Sequence, residues 1–169
     1  MRKYLLLVVF LTSVTSYAQI LSNDTTVCGS YQDNLVALSA TQSGMAVDDQ
    51  HDAVVPIGFT FNFYGLPYTQ LVVSGNGYIT FDITQASQYS PWAINAPIPN
   101  PGNLPENAIM APWHDINTGI GGNIYYGVSG IAPNRVFIVT WCAVPMFSCT
   151  SDLHTSQVIL YEGTDKIEM

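Results

Sequence analysis

Basic residues are scarce in this chain: four Lys and Arg stand against twelve Asp and Glu. A nucleic-acid surface needs clustered cations to displace counterions from phosphates. This chain cannot supply them, so nucleic acid is excluded as a partner. Charge of either sign is sparse, at 9% of residues, against roughly 25% in an average soluble domain. Ser, Thr, Asn and Gln must therefore cover most of the surface, which suits an extracellular β-protein. Long apolar runs are missing as well. None approaches the roughly 20 residues a membrane helix requires, so no transmembrane segment is expected. Helical periodicity is absent too, because no stretch after Gln19 carries an apolar stripe recurring every 3.6 residues.

The first residues set the compartment. Arg2 and Lys3 precede an apolar run from Leu5 to Leu11, and Ser16-Tyr17-Ala18 places small residues where a signal peptidase cuts. Residues 1–18 read as a secretory signal peptide. Its removal leaves Arg135 and Lys166 as the only basic side chains beside twelve acids. The remaining stretch, 19–169, is long enough for one domain with a substantial core, secreted or at the cell surface.

Three cysteines cannot all pair within the chain. Cys142 and Cys149 bracket a six-residue loop and are the expected disulfide in an oxidising compartment. This leaves Cys28 over, although a pairing with Cys28 stays open. No closely spaced set of Cys and His suggests zinc.

What the sequence does have is alternation. Val55, Ile57, Phe59, Phe61 and Phe63 face one way, and Pro56, Gly58, Thr60 and Asn62 the other, the period of a half-buried strand. Residues 71–73 and 78–81 flank Ser74-Gly75-Asn76-Gly77, where Asn-Gly is expected to supply the positive φ angles of a tight hairpin turn. Further strands are expected over 124–128, 136–143, 157–161 and 34–39. Short strands separated by turn residues predict an all-β fold, an antiparallel β-sandwich. Residues 87–105 interrupt it. Five of the ten prolines lie there, and at that density neither ladder nor helix survives. A long loop is expected, pinned by Trp92 or contacting a ligand through it.

The stretch Ala111-Pro112-Trp113-His114-Asp115-Ile116-Asn117-Thr118-Gly119 looks chemical, but catalysis finds little support. Gly127-Val128-Ser129-Gly130-Ile131 fails the Gly-x-Ser-x-Gly pattern at its last position, and no His-Glu-x-x-His occurs. Calcium is the sharper hypothesis. Asp115 and Asn117 share a face if extended, and Asp48, Asp49 and Asp52 form the densest acidic stretch, so these five are the candidate ligands. In the plainer alternative, Asp115 caps the glycine turn and residues 48–52 are a solvated loop. Trp113 is expected in the core, closing one edge of the sandwich. Trp92 and Trp113 are the aromatic candidates for ligand contact.

Several segments resemble a known family. Phe61-Asn62-Phe63-Tyr64-Gly65, Val73-Ser74-Gly75-Asn76-Gly77-Tyr78-Ile79-Thr80-Phe81 and Ile109-Met110-Ala111-Pro112-Trp113-His114-Asp115-Ile116 follow, in order, the pattern of nidogen-like (NIDO-like) extracellular modules. Residues 132–141 and 157–164 continue it. The run also resembles the N-terminal β-module of large secreted Bacteroidota surface proteins, which carry PKD or Ig-like repeats and a type IX sorting domain. The resemblance implies further domains in the same polypeptide and a module continuing past Met169. It also implies a non-catalytic role in adhesion or recognition, with an extracellular glycan or a surface protein as partner. The other reading is an accessory front domain of a secreted hydrolase.

Overall fold

The computed structural model describes residues 40–98, 100–102, 105–111 and 113–169. The signal peptide, the strand expected over 34–39 and Cys28 lie outside the described residues. Among the described residues nine strands run in chain order: β1 (Thr41–Gln42), β2 (His51–Phe63), β3 (Leu66–Ser74), β4 (Tyr78–Thr80), β5 (Ala108–Met110), β6 (Asn123–Ser129), β7 (Val136–Pro145), β8 (Leu153–Tyr161) and β9 (Ile167–Glu168). They form two antiparallel sheets, ordered β1-β6-β7-β8-β9 and β2-β3-β4-β5. The expected all-β sandwich is the fold observed.

Patterning explains the core. Val55, Ile57, Phe59 and Phe61 on β2 are buried, while Pro56, Gly58, Thr60 and Asn62 between them are exposed. Across the interface β7 contributes Phe137, Val139 and Trp141, and β8 contributes Val158 and Leu160. Burying side chains of this size stabilises the fold by roughly 1.5–3 kcal/mol each. Trp141 also ties the sheets together with a polar contact: its indole N–H donates to the Ser74 carbonyl at 2.8 Å.

The hairpin between β3 and β4 is looser than expected. Val73 pairs with Ile79, so more residues turn the chain than in a two-residue connection. Gly77 alone of the Asn-Gly pair takes a positive φ, 77°. That is the left-handed position closing a three-residue loop. Asn76 is thereby released for another role.

The 87–105 segment forms no strand or helix among its described residues. Trp92 does not pin it, being 40% exposed. The anchors are Ser90, fully buried, and the Pro91 carbonyl, which accepts from the Trp113 indole at 2.8 Å. Trp113 itself is buried edge-on against Tyr78, as a core residue should be.

The expected Cys142–Cys149 bridge is not formed. Cys149 is free and exposed in the turn after β7, whereas Cys142 is buried within β7 and disulfide-bonded. Proximity in sequence misleads because β7 runs on to Pro145. The strand carries the chain away from Cys142 before the turn begins.

Candidate functional site at the acidic end of the sandwich

Three segments distant in sequence meet where β2 begins: the acidic run 48–52, the loop 75–77 and the stretch 113–119. Asn76 joins them. Its side-chain amide donates to Asp49 Oδ1 at 3.0 Å and to the Ser90 carbonyl at 3.1 Å. Its side-chain oxygen accepts from the Ile116 N–H at 3.3 Å. Its backbone N–H donates to Ser74 Oγ at 2.8 Å, and its carbonyl accepts from the His114 N–H at 3.4 Å. A fully buried amide must satisfy its polar atoms locally, and here that requirement fixes where three loops sit.

The consequence is an acidic trio. One carboxylate oxygen from each of Asp48, Asp49 and Asp115 lies within 4.8 Å of the others. Asp48 Oδ1 and Asp115 Oδ1 are buried without a hydrogen-bond partner. Burial pushes the Asp115 pKa up, and the charges of Asp49 and Asp48 push it further. Asp48 is raised by burial and by Asp49. A divalent cation would remove both penalties at once, replacing lost hydration and cancelling repulsion.

Two of the five expected ligands are engaged elsewhere. Asn117 Oδ1 accepts from the Gly119 N–H at 2.8 Å, so Asn117 performs the turn capping considered for Asp115. Asp52, already inside β2, accepts from the Ser43 hydroxyl at 2.5 Å and from the Ala53 N–H at 2.7 Å.

A cavity of about 530 Å³ is lined by His51, Tyr78, Asp82, Gln85, Tyr89 and Glu106 among others. His51 at its base is 2% exposed, and its Nε2 lies 2.7 Å from the Tyr78 hydroxyl. Ser90 Oγ donates to that hydroxyl at 3.1 Å. The phenol O–H therefore donates its hydrogen bond to Nε2, and the neutral imidazole carries its hydrogen on Nδ1. Burial lowers the His51 pKa and raises that of Tyr78 to about 12, which keeps both groups neutral.

The other histidines make a weak case for catalysis. His154 Nε2 lies 2.7 Å from Ser156 Oγ, a serine–histidine pair the sequence did not suggest, since the two alternate on one strand face. Burial, then His114, depresses the His154 pKa to about 4. A base that weak does not activate a serine near neutral pH. The His114 and His154 rings meet edge to face, 4.6 Å between centroids.

Asp48, Asp49 and Asp115, which come together here, are among the residues that sequence reasoning singled out as candidates; Asn76, Ser90, Tyr89 and His51 are not. Asn76 was hidden inside a turn signal. Ser90 carries no local signal at all.

A family model described as NIDO related matches residues 12–169. Alpha-tectorin of Mus musculus is 28% identical over 138 residues, covering 68% of this chain and 6% of the tectorin. Alpha-tectorin of Homo sapiens matches with the same figures, and that of Gallus gallus is likewise 28% identical over 138 residues. The chain thus spans about 6% of the length of these relatives. No solved structure matches.

Proposed function

We infer that this chain, which belongs to the NIDO-related family, is a non-catalytic extracellular module for recognition and adhesion within a longer secreted or surface polypeptide. The observation that carries the reading is the acidic end itself. Buried hydrogen bonds from Asn76 hold three remote loops so that they present one continuous face. The Pro-rich loop exposes Tyr89, Trp92 and Ile94, amphipathic and apolar side chains of the kind recognition surfaces use. The small share of alpha-tectorin that the chain covers supports a module among further domains. The composition and the signal-like first residues support export, and a type IX-sorted Bacteroidota context belongs to the same proposal.

A cation at the trio is part of this reading. Calcium held by Asp48, Asp49 and Asp115, with backbone carbonyls and water completing its shell, would lock the acidic run to the Trp113 stretch. The two partnerless buried oxygens favour it.

A glycan array, together with a retention assay on extracellular matrix proteins, tests the recognition reading. Binding on either surface supports it. Absence of binding on both, with millimolar calcium present, makes the module a spacer. A catalytic motif in the coding sequence downstream of Met169 would instead favour an accessory domain of a hydrolase.

A further inference from the structure

We propose that Val47, Ile120, Phe147 and Leu153 form a docking surface at the acidic end, for a protein segment that carries apolar side chains flanked by Lys or Arg. The proposal rests on the recognition reading and deepens it by naming the partner's chemistry.

The backbone brings the four together. Phe147 donates its N–H to the Asp115 carbonyl at 3.1 Å, and Asn117 donates to the Pro145 carbonyl at 2.8 Å. The stretch 115–117 therefore lies against the end of β7 like a short extra strand. Leu153 sits opposite Pro145 on the other side of that strand end. Ile120 follows in the turn that Asn117 closes, its N–H 3.4 Å from the Asn117 carbonyl. Val47 is drawn in from before β2 by the Thr118 hydroxyl, which donates to its carbonyl at 2.6 Å.

Alternation decides which side chains stay outside. Ile116 and Met146 face each other across an isolated bridge. Ile116 is fully buried and Met146 packs on the core. Phe147, the next residue, is therefore turned away from the core. It is 49% exposed, and Val47, Ile120 and Leu153 lie between 46% and 60%. Apolar side chains scattered singly over a surface mean little, whereas several on adjoining loops, rimmed by polar groups, mark an interaction site.

Charge identifies the partner. Asp48 and Asp49 follow Val47 directly, Asp115 is bonded to Phe147 through the backbone, and Asp152 precedes Leu153 and is exposed. The described cations lie elsewhere. Arg135 precedes β7 and Lys166 follows β8, at the far end of both strands from Pro145 and Leu153. They are engaged with Glu162 and Glu168. Among the described residues, the apolar surface thus carries a rim of one sign. A second copy of the chain would bring the same acids against it, and a phospholipid surface its own phosphates; like charge opposes both. A segment whose apolar residues are flanked by Lys or Arg buries the one set of groups and pairs with the other.

The test uses the full chain, in chelator so that the result does not depend on the cation seat. A short fluorescent peptide alternating Leu and Lys is the probe, and peptides alternating Ser and Lys or Leu and Glu are the comparisons. Anisotropy should report saturable binding of the probe that weakens as salt is raised, and binding at least tenfold weaker for either comparison. Phe147→Ser should weaken probe binding tenfold or more, and Ile120→Ser several-fold. Tyr64→Ser, which removes an exposed ring beyond the other end of β2, should leave it unchanged. Equal binding of the Ser and Lys peptide, or wild-type affinity in both Phe147→Ser and Ile120→Ser, would overturn the proposal. Capture by phosphatidylcholine vesicles, or self-association, that Phe147→Ser abolishes would also overturn it, by assigning the face to lipid or to a second copy. Matrix retention that survives Phe147→Ser, with no probe binding by the wild type, would overturn this face and leave the recognition reading standing.

Discussion

The two ends of β2 are held by different physics. At its last residues Phe61, Phe63, Tyr68 and Phe81 stack with ring centroids 4.6–5.9 Å apart, an apolar cluster that needs only the right shapes. At its first residues Asn76, Asp49, Ser90 and Asp115 meet through hydrogen bonds and carboxylate repulsion. The aromatic end closes the fold. The acidic end stores unfavourable charge, and the fold tolerates it because Asn76 holds the loops in place.

Truncating each end should expose that difference. Phe61→Ala removes a fully buried ring and should cost about 3–5 kcal/mol, read as a lower urea midpoint with or without calcium. Asn76→Ala strands the Ile116 N–H and the Ser90 carbonyl, and should cost about 2–3 kcal/mol. Its second signature is lost calcium response, which Phe61→Ala should retain. Equal calcium responses in both variants would erase the distinction between the ends.

A milder probe is acid. The lowered His154 pKa means the folded chain binds fewer protons than the unfolded chain. Its contribution to stability is present above the ordinary imidazole value of 6.5 and is lost as the pH falls toward about 4. Asp48 and Asp115 act in the opposite sense. Their raised pKa values make the folded state bind protons more readily, so that contribution is lost as the pH rises through the folded values. His154→Gln should therefore reduce the drop in melting temperature between pH 7 and pH 4.5 by a few degrees. An unchanged drop would show that another group drives it.

The smallest effect concerns covalent chemistry. Peptide mapping without reduction should recover Cys142 in a linked peptide that lacks Cys149. A Cys142–Cys149 peptide would contradict the structure.

The contrast between the ends also explains what was legible in the sequence. Period-2 burial announced β2, because side chains there need only alternate, and apolar runs bounded by turn residues announced β7 and β8, of which β7 is buried on both faces. The stop at the prolines was equally readable. Asn76 was not, since its role depends on partners 14, 27 and 40 residues away, and Asn-Gly has a local meaning that hides it. Three of the five calcium candidates come together for a similar reason. Asp48, Asp49 and Asp115 converge through tertiary contacts, while Asn117 and Asp52 are claimed by neighbours two and nine residues off. The missed strands β1, β5 and β9 are two or three residues each, too short to show a period.

The acidic end as a charge-loaded cation seat is the central claim, and Asp115→Asn tests it most directly through a crossing of melting curves. In chelator the variant should melt a few degrees above the wild type, because one half-buried, repelled carboxylate is gone. In millimolar calcium the wild type should rise by mass action to meet or pass the variant, whose own curve barely moves. If calcium and chelator give the wild type the same melting temperature, no ion sits at Asp48, Asp49 and Asp115, and the cation seat is contradicted.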